Sequence, residues 1–382
     1  MLPSSSPVSP EMRTRSYQLS SDELRQLEPA ALAEHADALV VRLGDYDRLV
    51  RKEALQTLRK LEPPTLAQYA DAIVARLDDP NEHVRKEAIY TLYELEPESL
   101  ALHAHAVVSR LPQWEGFTRW HALCLLYKLE AQALGAFADA LVARLDDSDR
   151  LVRAKALETL GKLEPARLAQ HAHAVAAGLG DLNRSVRAKS LETLGKLEPV
   201  ELAQHAHAVV ARLEDAHFAL REKALETLGK LDPAKLATHS HAVAARLMDF
   251  RSSVQLKAFE TLRKLEPAKL AQHTNDLTLK FGDPEENVLV AAIVTLKKLP
   301  RFVSRVLDFD ELNDRVIAQL YPLRLRILGR LAWYRYRLRL RVQRLALYWY
   351  ALPYRPSGPG HARDVEAWGR MSANPGQRDE MN

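Results

Sequence analysis

Residues 129–162 read LEAQALGAFADALVARLDDSDRLVRAKALETLGK, and variants of this 34-residue segment follow one another along most of the chain. The opening Leu-Glu-Pro-like triplet recurs without an insertion, starting at Leu27, Leu61, Leu95, Leu129, Leu163, Leu197, Leu231, Leu265 and Leu299. A fixed period of this length is typical of repeat proteins, in which each unit buries its apolar face only against its neighbours. The period therefore predicts a stacked array. Because such arrays mainly present long surfaces, it also favours binding over catalysis.

Apolar spacing inside the segment predicts two helices in each unit. The first half has one helical stripe, made of Leu134, Ala138, Leu141, Val142 and Leu145. The second half has another, made of Val152, Ala156, Leu157 and Leu160. Between them, Asp147 or Ser148 is the expected N-cap of the second helix, because its side-chain oxygen can accept an orphan backbone N–H. In most units a proline at the third position opens the first helix, where its missing N–H costs nothing.

A second signature lies in the turn and second helix of the units, where an Asp is followed shortly afterwards by Val-Arg and then by Ala and Leu. This pattern resembles short HEAT-like repeats over roughly residues 21–300. The resemblance implies an all-α fold, a right-handed α-solenoid of about eight armadillo-like helix pairs. In that family the Asp and the Arg form a ladder between stacked units. The matching positions are Asp45, Asp79, Asp147 and Asp181, with Arg51, Arg85, Arg119, Arg153, Arg187 and Arg221.

This ladder is expected to have one gap and one end. Gln113 replaces the Asp of the third unit, and Gln255 and Leu289 replace the Arg of the last two units. Tetratricopeptide repeats share the period, but their Trp, Leu-Gly and Tyr positions are absent, so the HEAT-like interpretation is favoured.

The resemblance also implies that the second helices line a concave side. Along that side the first unit is basic, the next two are aromatic, and the fourth to sixth are acidic. Trp and Tyr are typical hot-spot residues. We therefore expect a non-catalytic scaffold or adaptor that binds a protein partner, including a basic segment, through Tyr90, Tyr93, Trp114, Trp120, Tyr127, Glu158, Glu192 and Glu226. Two alternatives stay open: the rings pack on one another to repair the third unit, and the glutamates only solvate a helix face.

No chemistry-bearing constellation predicts a cofactor, a metal or a catalytic site. His-Ala-His pairs recur, but residues two apart on a helix point to opposite sides and cannot chelate one ion. The sequence has no Gly-rich phosphate loop, cysteine pair or nucleophile motif. A HEAT-fold enzyme of the DNA glycosylase or lyase type is a weaker alternative, because the acidic middle of the array disfavours contact with a phosphate backbone.

The two ends differ from the array in composition. Residues 1–20 are predicted to be a disordered Ser/Pro-rich tail, and residues 356–382 a mostly disordered one. Residues 301–355 are predicted to hold a cap and a segment rich in arginine and aromatic residues, including Arg335, Arg337, Arg339, Arg341 and Arg344. The alternation at 335–341 suits a strand, whereas the surrounding leucines suit a helix, and the sequence leaves both open.

Positive charge is concentrated in this segment and the residues that directly follow it. Residues 315–363 contain 11 arginines, no lysine and no acid; the chain's net charge is +4 and would be −7 without them. Three roles stay open: docking on an anionic membrane surface, binding of nucleic acid, and a cap paired with the acidic array.

The single cysteine, Cys124, and the absence of an apolar signal segment predict an intracellular, cytoplasmic protein. The arginines of the N-terminal tail leave organellar targeting open. No apolar run is both free of charge and long enough to span a bilayer, so no membrane-spanning helix is expected.

Overall fold

The computed structural model describes residues 20–280, 283 and 285–299, and these residues form helices and turns without a strand. The chain divides into two compact units, residues 1–304 and 305–382, and every described residue lies in the first. The predicted N-terminal tail up to residue 19, the basic segment at 301–355 and the tail at 356–382 lie outside the described residues.

Within the described residues, eight helices of similar length recur at the period of the repeat. They are Arg48–Leu58, Glu82–Tyr93, Gly116–Leu126, Arg150–Leu160, Arg184–Leu194, Phe218–Leu228, Ser252–Leu262 and Glu286–Leu296. We call them the second helices of sequence units one to eight, counted from Leu27. Each of the first seven packs against the second helix of the next unit, as the repeat period predicts.

The first half of each unit is less regular. It is one long helix in the third and sixth units, Pro97–Arg110 and Pro199–Val210. Elsewhere it is two short helices: Pro29–Ala33 and Ala36–Arg42, Pro63–Ala67 and Ala70–Val74, Ala131–Gly135 and Ala138–Val142, Pro165–Gln170 and Ala172–Ala177, Pro233–Ala237 and Ser240–Ala245, and Pro267–Leu270 and Thr274–Leu279. Short 3₁₀ segments occur at Ala75–Asp78, Leu111–Gln113, Gly178–Gly180, Ala211–Glu214, Arg246–Met248 and Ala271–His273. Where proline follows the triplet's acid, it occupies the first turn of the helix, as expected.

One continuous apolar core runs through the described units, and the triplet leucines belong to it. From Leu61 to Leu299 each triplet leucine is at most 5% exposed. A short helix, Ser21–Gln26, covers the first unit: its Leu24 is buried, and the helix packs on Arg48–Leu58. Ser20 and Glu23 form a capping box that begins this helix.

The predicted N-cap of the fourth second helix is wrong. Asp149, not Asp147 or Ser148, caps it, and its side chain accepts the N–H of Leu151 at 2.8 Å. The carboxylate of Asp147 is instead bound by Arg119 from the preceding unit, at 2.7 Å. Asp147, which the capping preference within its own unit would place at the N-cap, is therefore used for a contact with the preceding unit.

Candidate functional site

The second helices are held in register by an arginine–aspartate ladder. In each pair the arginine reaches an aspartate in the turn of the next unit, at 2.7–2.8 Å from Nε to the carboxylate: Arg51–Asp79, Arg119–Asp147, Arg153–Asp181, Arg187–Asp215 and Arg221–Asp249. The same guanidinium holds its own turn, since Nη1 of Arg51 donates to the carbonyls of Asp45 and Tyr46 at 2.8 and 2.9 Å. Each arginine therefore ties one turn to the next unit.

Electrostatics lower the pKa of four of these aspartates, Asp79, Asp181, Asp215 and Asp249. Burial raises the pKa of Asp79, but the hydrogen bonds from Arg51 and from the backbone N–H of Asn81 outweigh it, so the pKa is lowered. The pKa values of Asp181, Asp215 and Asp249 are lowered for the same reasons. The folded state therefore favours the charged form of these four aspartates.

The ladder extends further than the sequence motif indicated. Asp215 and Asp249 were missed because Leu220 and Gln255 replace the Val and the Arg that follow them in the motif; their shared position in the repeat was the available signal. At the gap left by Gln113, Nη2 of Arg85 binds Glu115 at 2.7 Å instead. Asp45 precedes the first pair, and its carboxylate accepts the N–H of Asp47 at 2.7 Å.

Two further ladders were not predicted. The lysine that ends a unit donates to the carbonyl that ends the preceding second helix, as when Nζ of Lys196 binds the oxygen of Gly161 at 2.6 Å. Cations at a helix C-terminus satisfy free carbonyls and interact well with the helix dipole. Buried threonines make a parallel link, as when Oγ1 of Thr193 donates to the carbonyl of Leu157 at 2.9 Å. The signal was lysine in the last position of every unit except the second, which has Glu94.

Four rings of the second and third units, those of Tyr90, Phe117, Trp120 and His121, form a packed cluster. The hydroxyl of Tyr90 bonds Nε2 of His121 at 2.6 Å, across the unit boundary. Phe117 and Trp120 stack with ring centres 6.5 Å apart, and both meet His121 edge-on at 4.2 and 4.8 Å. Burial, with the charge of Lys86 adding to it, lowers the pKa of His121. His121 was not among the predicted site residues, and it lies at the centre of the cluster.

Exposure separates the members of this surface. Phe117 and Tyr93 are 48% and 44% exposed, whereas Trp120 is half-buried. Trp114 is only 4% exposed and packs in the core, so the prediction that its ring is available to a partner is wrong. Trp114 directly follows Gln113, the residue that stands at the ladder aspartate's position in this unit.

The predicted acidic residues meet in one groove. Glu158, Glu192 and Glu226 line it together with Tyr127, the C-cap residue of the third second helix. Tyr90, Tyr93 and Trp120 do not line this groove. The structure therefore divides the predicted site into an aromatic patch (Tyr90, Tyr93, Phe117, Trp120 and His121) and a charged groove.

The charged groove is not acidic, because lysines alternate with the glutamates. Glu192 binds Lys189 and Lys223 at 2.9 and 2.7 Å, and Glu158 binds Lys155 and Lys189 at 3.1 and 3.4 Å. Burial raises the pKa of Glu158 and of Glu192, but the lysine contacts outweigh it and lower both. The sequence signal for this pairing is the lysine that lies one helical turn before each glutamate.

The histidines pair between units rather than within them. The rings of His173 and His205 lie 6.4 Å apart, and those of His241 and His273 lie 4.8 Å apart. Among the described residues, no group of three or more His, Cys, Asp or Glu is arranged to hold a metal ion. The described part of the chain likewise contains no helix of the length and apolarity needed to cross a bilayer.

Comparisons with known proteins support the fold. No family model matches the chain, and no curated protein matches it. Among solved structures it is similar to an engineered protein, with 15% identity, a TM-score of 0.52, and 82% of this chain and 93% of that chain covered. It is also similar to a structure from work on a phosphorylation switch in the cadherin–beta-catenin interaction, with 17% identity, a TM-score of 0.48, and 74% and 64% covered. The first likeness shows a shared all-helical fold.

Proposed function

We propose that this chain is a HEAT-like α-solenoid scaffold that binds a protein partner along its second helices, the side that is concave in that family. The observation that carries the proposal is the aromatic patch. Phe117 and Tyr93 keep about half of their surface in water although neighbouring rings are packed. Exposed aromatic rings held by a rigid frame match the usual chemistry of interface anchors.

The ladders support this role because they fix the frame that carries the rings. The ring of Tyr93 is also approached by Lys128, whose Nζ lies 4.6 Å from the ring centre, and Phe117 by Lys86 at 4.2 Å. The lysines hold the two rings in fixed orientations before a partner binds. Binding at the ring edges would then cost little further side-chain conformational entropy.

The charged groove changes the expected charge of the bound segment, for which the sequence suggested a basic one. A purely basic segment would have to displace lysines already bonded to Glu158 and Glu192. We therefore propose that the aromatic patch supplies most of the affinity. The alternating charges then select the register of a segment that carries both signs.

A pull-down with the full chain tests the proposal. The variant Tyr93→Ala/Phe117→Ala should lose proteins that the wild type retains from cell extract at high salt. Tyr46→Ala is the matched control, because Tyr46 is fully exposed and lies in the turn of the first unit. Equal retention by the wild type and the double variant would contradict the proposal.

The salt series also addresses a second candidate. The 11 arginines of residues 315–363 favour binding of nucleic acid or an anionic membrane surface by that segment. Retention through phosphate contacts falls steeply with salt. If both the wild type and the double variant lose everything at high salt, the basic segment would be the binding element.

A further inference from the structure

Exposed apolar side chains concentrate on the turns that precede the second helices. Of the 14 large hydrophobic residues with high exposure among the described residues, eight lie on these turns or at their immediate borders: Tyr46, Leu49, Phe117, Leu151, Leu182, Phe218, Met248 and Phe250. Turns between helices ordinarily carry polar residues. Phe117 belongs to the aromatic patch, whereas the other seven lie outside it, on the turns or in the residues that directly border them.

Three consecutive turns form a continuous patch, made of residues 182–185, 216–219 and 250–253. The guanidinium carbon of Arg251 lies 5.1 Å from the ring centre of Phe218 and 5.7 Å from that of Phe250. Arg251 therefore connects the turns of the sixth and seventh units. Nη1 of Arg184 lies 3.3 Å from Nε2 of His217, and this contact connects the turns of the fifth and sixth units. We call these residues the turn patch.

The apolar members of the turn patch protrude. Leu182 is fully exposed, Phe250 is 77% exposed and Phe218 is 40% exposed. Met248, just before the seventh turn, is half exposed and extends the same edge. These are single side chains at the tips of turns about 10 Å apart, the spacing of packed helices, rather than the walls of a groove.

The charge of the turn patch is positive. Its residues include Arg184 and Arg251 and no acid, and neither arginine has a carboxylate partner among the described residues. The flanking Asp215 and Asp249 are bound by ladder arginines, and Glu214 is the exposed acid next to the sixth turn. The N-cap residue of the second helix is an aspartate in the fourth unit, whereas in the fifth, sixth and seventh units it is Asn183, His217 and Arg251.

We propose that the turn patch docks the chain on an anionic lipid bilayer. Apolar side chains at protruding tips enter the interface between headgroups and acyl chains, and arginines beside them bind lipid phosphates and carboxylates. A bilayer accepts separate protruding side chains without the matching cavities that a protein partner must supply. The turn patch shares no residue with the aromatic patch. Docking on a bilayer and binding of a protein partner can therefore be tested independently.

A site-specific fluorophore provides the first test. The full chain carries Leu182→Cys in a Cys124→Ser background and is labelled with a polarity-sensitive dye. A chain labelled at Leu102→Cys is the matched control, since Leu102 is also exposed but lies on a first helix. We expect the emission from position 182 to shift to the blue with phosphatidylcholine–phosphatidylserine vesicles, and that from position 102 to stay unchanged.

Vesicle sedimentation provides the second test. Leu182→Ser/Phe250→Ser should weaken binding to these vesicles at least about tenfold, because burial of one large apolar side chain is worth roughly that factor. Leu102→Ser/Val200→Ser should leave it unchanged. Arg184→Gln/Arg251→Gln should also weaken binding, whereas Arg167→Gln/Arg263→Gln, which removes exposed arginines elsewhere, should have a smaller effect.

Three results would overturn the proposal. The first is a full chain that does not bind the vesicles. The second is a chain that sediments with them while the dye at position 182 stays in water, which would assign the binding to another segment. The third is a blue shift produced by vesicle-free cell extract and not by vesicles, which would make the occupant of the turn patch a protein.

Discussion

Asp249→Asn should remove one rung of the ladder and weaken the boundary between the sixth and seventh units. Arg221 and Asp249 are 4% and 9% exposed, and two guanidinium nitrogens meet the carboxylate at 2.7 and 2.8 Å. Removing one partner of a buried ion pair costs about 3–5 kcal/mol. Arg221 keeps its bonds to two carbonyls of its own turn, and the new amide can still accept the N–H of Arg251. We therefore expect the lower end, about 3 kcal/mol.

Asp78→Asn is a matched control for this change. Asp78 also receives two nitrogens of one arginine, Arg110, but its side chain is 57% exposed. Exposed ion pairs contribute about 0–1 kcal/mol. The two variants thus change the same side chain in the same kind of pair and differ mainly in burial.

The assay is urea unfolding combined with hydrogen exchange, because repeat arrays need not unfold in one step. In Asp249→Asn, exchange should accelerate most in Ser252–Leu262 and Glu286–Leu296 and least in Arg48–Leu58. The pKa of Asp249 lies below its ordinary 3.8. The difference between wild type and variant should therefore be complete above about pH 4 and shrink as the pH falls below that value. An equal cost for Asp249→Asn and Asp78→Asn, or faster exchange throughout the array, would refute the reasoning.

Three further predictions concern other contacts within and between units. Burial and the charge of His207 hold the pKa of His239 below its ordinary 6.5, so the unfolded chain binds the proton first. The stability of the wild type should then fall as the pH drops through about 6.5, and the urea midpoint should fall with it. His207→Asp should reduce this fall by supplying a counter-charge to His239. An unchanged dependence of the midpoint on pH in that variant would contradict the pairing. A β-carbon at Gly178 would collide with Oγ of Ser190, so Gly178→Ala should cost about 1–2 kcal/mol in the wild type and clearly less with Ser190→Ala, and an equal cost in both backgrounds would exclude the clash. Lys230→Met should cost about 0.5–1 kcal/mol by removing a cation from the end of a helix; a thermal midpoint equal to that of the wild type would show that this lysine does not stabilise the helix end.

The period was enough to predict the helical units, because each unit meets neighbours of nearly the same sequence. The second helices begin at the same position of every unit for this reason. The resemblance named six arginines and four aspartates of the ladder. The structure pairs three sets of them as expected, Arg51–Asp79, Arg119–Asp147 and Arg153–Asp181. Arg187 and Arg221 bind aspartates that the resemblance did not supply, and Arg85 binds Glu115.

Other features could not be predicted, since they depend on which side chains meet across a boundary. The contact between His173 and His205 joins residues that do not occupy equivalent places in their units. The lysines that neutralise Glu158 and Glu192 come partly from the next unit. Trp114 occupies the same turn position as Leu182 and Phe250, which are exposed, yet Trp114 itself is buried in the core.

The boundary between the second and third units shows why the aromatic patch has two parts. This boundary lacks the ladder aspartate, replaced by Gln113, and the ladder threonine, replaced by Leu125.

The bond from Tyr90 to His121 spans the same boundary, so these two rings replace lost polar links and have a structural role. That need does not account for the exposure of Tyr93 and Phe117, because rings that only repaired packing would be buried. The repair interpretation therefore covers Tyr90 and His121, and the binding that we propose would rest on Tyr93 and Phe117. A variant of Tyr90 should report on stability, and a variant of Tyr93 on partner binding.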